Sequence, residues 1–206
     1  VQGEIVFDNV TFEYPHTGIV ALKNFNLTIN KGEKVAIMGK TGSGKSTLMH
    51  LLLRMYDVTS GEIRIDGIPI KDLDFQQLRQ QISYVPQEVF LFSDTVANNI
   101  ALGVEKDMDK VRHAAKLAHV DAEILGLSDG YETVTGERGV MLSGGQKQRI
   151  SIARALYKEP AVLFMDDSLS AVDSKTESGI QKNLQKILHQ KTSLIISHRI
   201  FKNWDF

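Results

Sequence analysis

The stretch Gly39-Lys40-Thr41-Gly42-Ser43-Gly44-Lys45-Ser46 sets glycines directly before a lysine and a hydroxyl. That combination suits an anion. Gly42 and Gly44 permit unusual φ/ψ and close approach, so successive backbone N–H groups can point at phosphate oxygens. A helix that begins there adds its positive end. Lys45 would reach the β- and γ-phosphates of a nucleotide, and the Ser46 hydroxyl would ligate Mg²⁺. A glycine-rich turn without a ligand is the alternative, and the flanking elements argue against it. Residues 35–38 form a short apolar run that reads as a buried strand, and 46–56 read as a helix, so the loop has the strand–loop–helix context it needs.

Two further groups could do chemistry. Asp166 ends the apolar run Val162-Leu163-Phe164-Met165. A carboxylate at a strand tip beside a phosphate loop can hold Mg²⁺, usually through water; alone, it would read as a cap on the next turn. About a hundred residues after the glycine loop stands Leu142-Ser143-Gly144-Gly145-Gln146. Ser143 and Gln146 are spaced as a capping box for a helix whose inner face carries Ile150, Ala153 and Leu156. A capped helix start with two glycines is also an anion site.

The elements that must position these groups follow from pattern. Ile5, Phe7, Val10, Phe12 and Tyr14, then Leu27 with Ile29 and Ile63 with Ile65, alternate as sheet, with turns at Lys31-Gly32 and Asp66-Gly67. From about 94 to 158 the spacing is helical (Val111, Ala114, Ala115, Ala118), broken near 126–130. The last third returns to strand 161–165, helix 175–189 and strand 193–197. Such an order predicts an α/β fold with a mostly parallel sheet, an antiparallel N-terminal layer and a helical insertion.

Composition bounds the reading. The 206 residues suit one domain, and 42% hydrophobic with 24% charged residues is ordinary for a globular protein. Twenty-four basic against 25 acidic residues give a net charge of −1, so no general electrostatic footprint for nucleic acid exists. There is no Cys, hence no thiolate nucleophile, disulfide or Cys-based metal site. No apolar run approaches the roughly 20 residues that span a bilayer, and no signal peptide is evident.

With the glycine loop, Asp166 and the L-S-G-G-Q segment in this order, the chain resembles the nucleotide-binding domain of an ABC transporter, a P-loop NTPase with a parallel core, an antiparallel β-subdomain and a helical subdomain. The resemblance covers nearly the whole chain, 1–206, with the helical subdomain at about 94–158. It implies ATP and Mg²⁺ as cofactors. Gly39, Thr41, Gly42, Ser43, Gly44, Lys45, Ser46 and Thr47 would hold the phosphates. Ser143, Gly144, Gly145 and Gln146 would bind the γ-phosphate of ATP on an opposite subunit, which implies a dimer. Tyr14 matches the aromatic that stacks on adenine, and Gln87 the glutamine that touches Mg²⁺ and faces the membrane part. Asp173 matches a loop that crosses the dimer interface, and His198 the histidine at the γ-phosphate. Ser46, Gln87 and Asp166 would then be the metal set, and Asp167, His198 and Gln87 the catalytic one. Thr135-Gly136-Glu137-Arg138-Gly139 and the stretch 91–100 resemble exporter-type domains. The implied partners are a second nucleotide-binding domain and transmembrane domains in the same polypeptide or complex, at the cytoplasmic face of the cell membrane. No nucleic-acid partner is expected. The alternatives are a soluble ABC-type ATPase of DNA repair or translation, and a regulatory module that binds ATP without hydrolysing it.

The chain departs from that family at two places. Position 167 carries Asp where the general base is normally Glu. The side chain is one methylene shorter, and a misplacement of about 1 Å can cost on the order of 100-fold in rate. A weak base beside an intact signature resembles one half of a heterodimeric exporter, although the retained His198 counts against that reading, since degenerate sites often lose it. Residues 200–206 bear little likeness to the strands and helix that normally follow, so the C-terminal end of the domain reads as incomplete.

Overall fold

The structure is a computed structural model and describes residues 1–40 and 42–198. The expectations at Thr41 and at 200–206 lie outside the described residues. Two sheets stack with helices between and beside them. The antiparallel sheet has the order β2-β1-β4-β5, from β1 (Ile5–Glu13), β2 (Val20–Ile29), β4 (Ser60–Ile65) and β5 (Ile68–Pro69). The second sheet has the order β3-β8-β7-β6, from β3 (Lys34–Ile37), β6 (Ile82–Val85), β7 (Val162–Asp166) and β8 (Thr192–Ile196), and every pairing in it is parallel.

β1 shows why the apolar spacing changes from two to three between Phe7 and Val10. Asn9 takes a left-handed φ of 50°, the pairing with β2 and β4 shifts there, and both Phe7 and Val10 are buried. A bulge absorbs one residue and returns the apolar side chains to the same face. β7 and β8 are buried throughout and serve two cores. Val162, Phe164, Leu194 and Ile196 pack toward the antiparallel sheet and α1 (Lys45–Leu52). Leu163, Met165 and Ile195 pack toward the helical layer. A parallel sheet covered on both faces needs such continuous apolar runs.

The helix after the glycine loop is shorter than its sequence suggests, ending at Leu52 rather than near Tyr56. Arg54 takes a left-handed φ of 51° and Met55 N donates to His50 O, so the chain leaves the helical path within a turn. The helical layer comprises α3 (Val96–Ile100), α4 (Met108–Leu117), α5 (Asp121–Leu125) and α6 (Gly144–Tyr157); α2 (Phe75–Gln81) precedes β6, and α7 (Ser174–Ile187) precedes β8.

One buried amide organises that layer. Asn99 is 1% exposed. Its Nδ2 donates to Phe92 O, Thr95 O and Thr135 Oγ1, and its Oδ1 accepts from Phe92 N and Arg154 Nη2. Arg154 also donates to Asn99 O and Phe90 O. Asn99 thus joins 90–95 and the segment beginning at Thr135 to α6. Asn99→Ala is expected to lower the unfolding free energy by about 2–4 kcal/mol, because several buried groups lose partners at once; chemical denaturation measures it.

Candidate nucleotide site

The glycine loop runs from β3 into α1. Gly44 is the helix N-cap at φ 88°, and a Cβ there would lie 2.6 Å from Ala21 O, so this position needs glycine for the fold as well as for any ligand. Lys45 Nζ lies across the loop, donating to Gly39 O at 2.6 Å, Lys40 O at 2.7 Å and Ser43 Oγ at 3.3 Å. These contacts hold the ammonium in the concavity of the loop.

Ser46 Oγ donates to Asp166 Oδ2 at 2.9 Å. Tyr84 OH donates to the same oxygen at 3.4 Å. Burial, followed by the charge and hydrogen bond of Asp166, pushes the Tyr84 phenol up to about 12, so it remains a donor at neutral pH. A hydroxyl and a buried carboxylate side by side are hard oxygen donors of the kind Mg²⁺ takes when phosphates complete its shell. No group of three or more His, Asp or Glu among the described residues forms a metal cage.

Next to Asp166, the chain turns sharply. Asp167 takes φ 45°, a left-handed conformation that Asp tolerates better than most residues, and its N–H donates to Ile196 O at 2.8 Å. Its Oδ2 faces Gln87 Nε2 at 3.5 Å and His198 Nε2 at 3.9 Å. The three residues singled out for catalysis therefore converge on one carboxylate oxygen, beside the Ser46–Asp166 pair.

Tyr14 reaches the opening of α1 from β1. Its hydroxyl and that of Thr47 lie 2.8 Å apart, and its ring packs edge-on to Phe12 and Tyr56. Thr47 is 4% exposed, so its hydroxyl serves Tyr14.

The L-S-G-G-Q segment opens α6. Gln146 N donates to Ser143 Oγ at 3.1 Å and Ser143 N to Gln146 Oε1 at 2.9 Å, a complete capping box. A Cβ on Gly145 would lie 2.8 Å from Ala171 O, so the loop before Asp173 seats directly on this glycine. Asp173 caps α7 by accepting from Thr176 N, and this backbone hydrogen bond holds its carboxyl below the usual range. Among the described residues, no hydrogen bond or ion pair joins Ser143–Gln146 to the glycine loop.

Gln148, which sequence reading passed over, connects the parts. It is 5% exposed; its Nε2 donates to Ser170 Oγ at 3.0 Å and Gln87 O at 3.4 Å, and its Oε1 accepts from Ala171 N at 2.9 Å. The signal was a polar side chain just inside a helix start, which in sequence looks like any solvated glutamine.

Comparison with known proteins gives the family. Residues 22–170 match the family profile described as ABC transporter. The chain is 49% identical over 201 residues to an uncharacterized ABC transporter ATP-binding protein, YfiB, of Bacillus subtilis, covering 97% of this chain and 35% of that protein. It is 47% identical over 201 residues to an ATP-dependent lipid A-core flippase of Alkalilimnicola ehrlichii, covering 97% and 34%. A probable multidrug resistance ABC transporter ATP-binding/permease protein, YheI, of Bacillus subtilis is 48% identical over 199 residues, covering 96% and 34%. Among solved structures, a bacterial Atm1-family ABC exporter with ATP bound superposes with a TM-score of 0.91 at 40% identity, covering 96% of this chain and 35% of that one. The chain spans about a third of the length of these curated relatives. With the family profile covering most of its length, and with glycine loop, strand-tip carboxylates and capped signature in one fold, the chain belongs to the ABC transporter family and carries its ATP-binding ATPase domain.

Proposed function

We propose that the chain is the motor domain of a membrane exporter, binding and hydrolysing ATP to drive closure and reopening of a dimer. The observation that carries this is the convergence of Gln87, Asp167 and His198 on one carboxylate oxygen beside the Ser46–Asp166 pair. In this reading the loop from Gly39 to Ser46 holds the phosphates and Lys45 swings from its carbonyl partners onto the β- and γ-phosphates. Asp167 accepts a proton from the attacking water, and Gln87 and His198 orient that water and the γ-phosphate. Ser46, Asp166 and Gln87 would hold Mg²⁺, which supplies charge neutralisation at the phosphate oxygens.

The partners in this reading are a second nucleotide-binding domain and transmembrane segments at the cytoplasmic face of a membrane. Similarity to proteins named as a flippase, a multidrug resistance transporter and an exporter favours it over a soluble ATPase of DNA repair or translation.

A finer reading is one half of a heterodimeric exporter. Asp167 sits at a left-handed φ with its shorter side chain, which favours a slow site, while the signature is fully capped and available to a partner's ATP. Asp167→Glu is expected to raise Mg²⁺-dependent turnover tenfold or more, from the recovered reach of about 1 Å. Equal, fast rates in both would make Asp167 an adequate base and favour a homodimer, while two inactive proteins would favour a regulatory module that only binds ATP.

The signature's two roles separate by substitution. Ser143→Ala is expected to cost about 1 kcal/mol of stability through loss of the cap, whereas Asp caps as well as Ser. Ser143→Asp should therefore retain stability yet abolish ATP-driven association, because it sets a negative charge where the γ-phosphate must dock. A segment that only caps a helix would tolerate Asp in both assays.

A further inference from the structure

A buried cation grips the start of the signature helix. Arg149 stands in the second turn of α6 and is 8% exposed. Its Nε donates to Gly145 O at 3.1 Å and its Nη1 to His119 O at 2.6 Å, and Nη1 also pairs with Glu123 Oε2. One planar fork thus joins the first turn of α6, the turn between α4 and α5, and α5 itself. A lysine ammonium, a single point on a flexible stem, does not reproduce that spread of donors.

Gly145 O and Gln146 N belong to one planar peptide, so a tilt at one end moves the other. Gln146 N donates to Ser143 Oγ at 3.1 Å. That bond uses a lone pair of the hydroxyl and leaves its hydrogen for an outside acceptor. The far side of Gly145 is closed by Ala171 O, which a Cβ would meet at 2.8 Å. The other end of the fork is anchored too. The His119 imidazole lies on Gly179 of α7, where a Cβ would collide with its Cε1, and Asn183 Nδ2 of the same helix donates to Leu117 O at 3.0 Å. Arg149 therefore fastens the signature peptide to a turn that is itself fastened to the helix capped by Asp173. Its charge is neutralised inside the fold by Glu123. We propose that Arg149, braced by Glu123, is a positioning residue: it sets the Gly145–Gln146 peptide, and with it the Ser143 hydroxyl, to receive the γ-phosphate of ATP held by an opposite subunit.

This inference rests on the proposed role of the signature. It holds for a homodimer and a heterodimer alike, because in both the ATP concerned sits on the other subunit. The test uses the full-length protein with its accompanying subunits. Arg149→Lys keeps the charge and loses the fork, whereas Glu123→Ala keeps the fork and removes its brace at a side chain that is 45% exposed. Both are compared with Ser143→Asp in ATPase kinetics and in equilibrium binding of a fluorescent ADP analogue. ADP lacks the phosphate that meets the signature, so it reads the glycine loop alone. Arg149→Lys is expected to raise the half-maximal ATP concentration about fivefold and lower kcat about tenfold. Glu123→Ala should shift both in the same direction by about threefold, and ADP-analogue affinity should stay within about twofold in either variant. Unchanged kinetics in either variant would overturn the proposal, and so would an equal loss of ADP-analogue affinity, which marks a general loosening of the fold. If Arg149→Lys does not fold, Glu123→Ala decides by the same criteria. Undiminished turnover in Ser143→Asp would overturn the signature reading itself, and this inference with it.

Discussion

The hydrogen bond from Ser46 Oγ to Asp166 Oδ2 joins the first turn of the helix after the glycine loop to the tip of a buried strand. It is possible only because the parallel sheet runs β3-β8-β7-β6, which brings the carboxyl ends of β3, β8 and β7 to one edge. Ligands in open parallel sheets collect at that edge. The glycine loop leaves β3, Asp166 and Asp167 leave β7, and Ser197 and His198 leave β8, so these functional groups arrive from three neighbouring strands. The register of β7 against β8 fixes their heights: Asp166 lies opposite Ile196, and Asp167 N–H bonds to Ile196 O. A slip of one residue would turn Asp166 to the other face and break the pair with Ser46.

Around that edge, buried amides transmit position between parts that do not touch. Gln148 bonds to Gln87 O, Ser170 Oγ and Ala171 N, so one side chain ties the signature helix to the Gln87 segment and to the loop before Asp173. Asn99, with Arg154, does the same for 90–95 and Thr135 on the far side of α6. Networks in which every member is satisfied rigidify a structure, because breaking one bond strands a buried polar group. The helical layer is thereby fastened to the Gln87 side of the site, while the glycine loop is fastened through Ser46 to Asp166 on β7.

Much of this was legible in sequence because it depends on local chemistry. Glycines before Lys45-Ser46 marked the loop between β3 and α1, the alternation around Ile5 to Tyr14 marked a strand, and Ser143 with Gln146 marked a helix start. The apolar run before Asp166 marked a strand with two covered faces. What escaped was non-local. Arg54 ends α1 early through a left-handed turn that no proline or glycine announces. The bulge at Asn9 reads only as a lapse in alternation. Gln148, Asn99 and Arg149 look like solvated residues on helices, since sequence does not say which polar side chain meets a carbonyl across the core. The left-handed φ at Asp167 was likewise invisible, although the residue itself stood out.

Every proposed role at this edge of the sheet depends on ATP binding in the loop from Gly39 to Ser46. Equilibrium titration with ATP tests it most directly, on the unsubstituted protein and on Lys45→Ala, with folding of both checked by thermal unfolding. The account predicts one ATP bound per chain in the former and binding lost in the latter, whose fold is retained. A folded, unsubstituted protein that takes up no ATP, or a Lys45→Ala protein that binds it equally well, would contradict it.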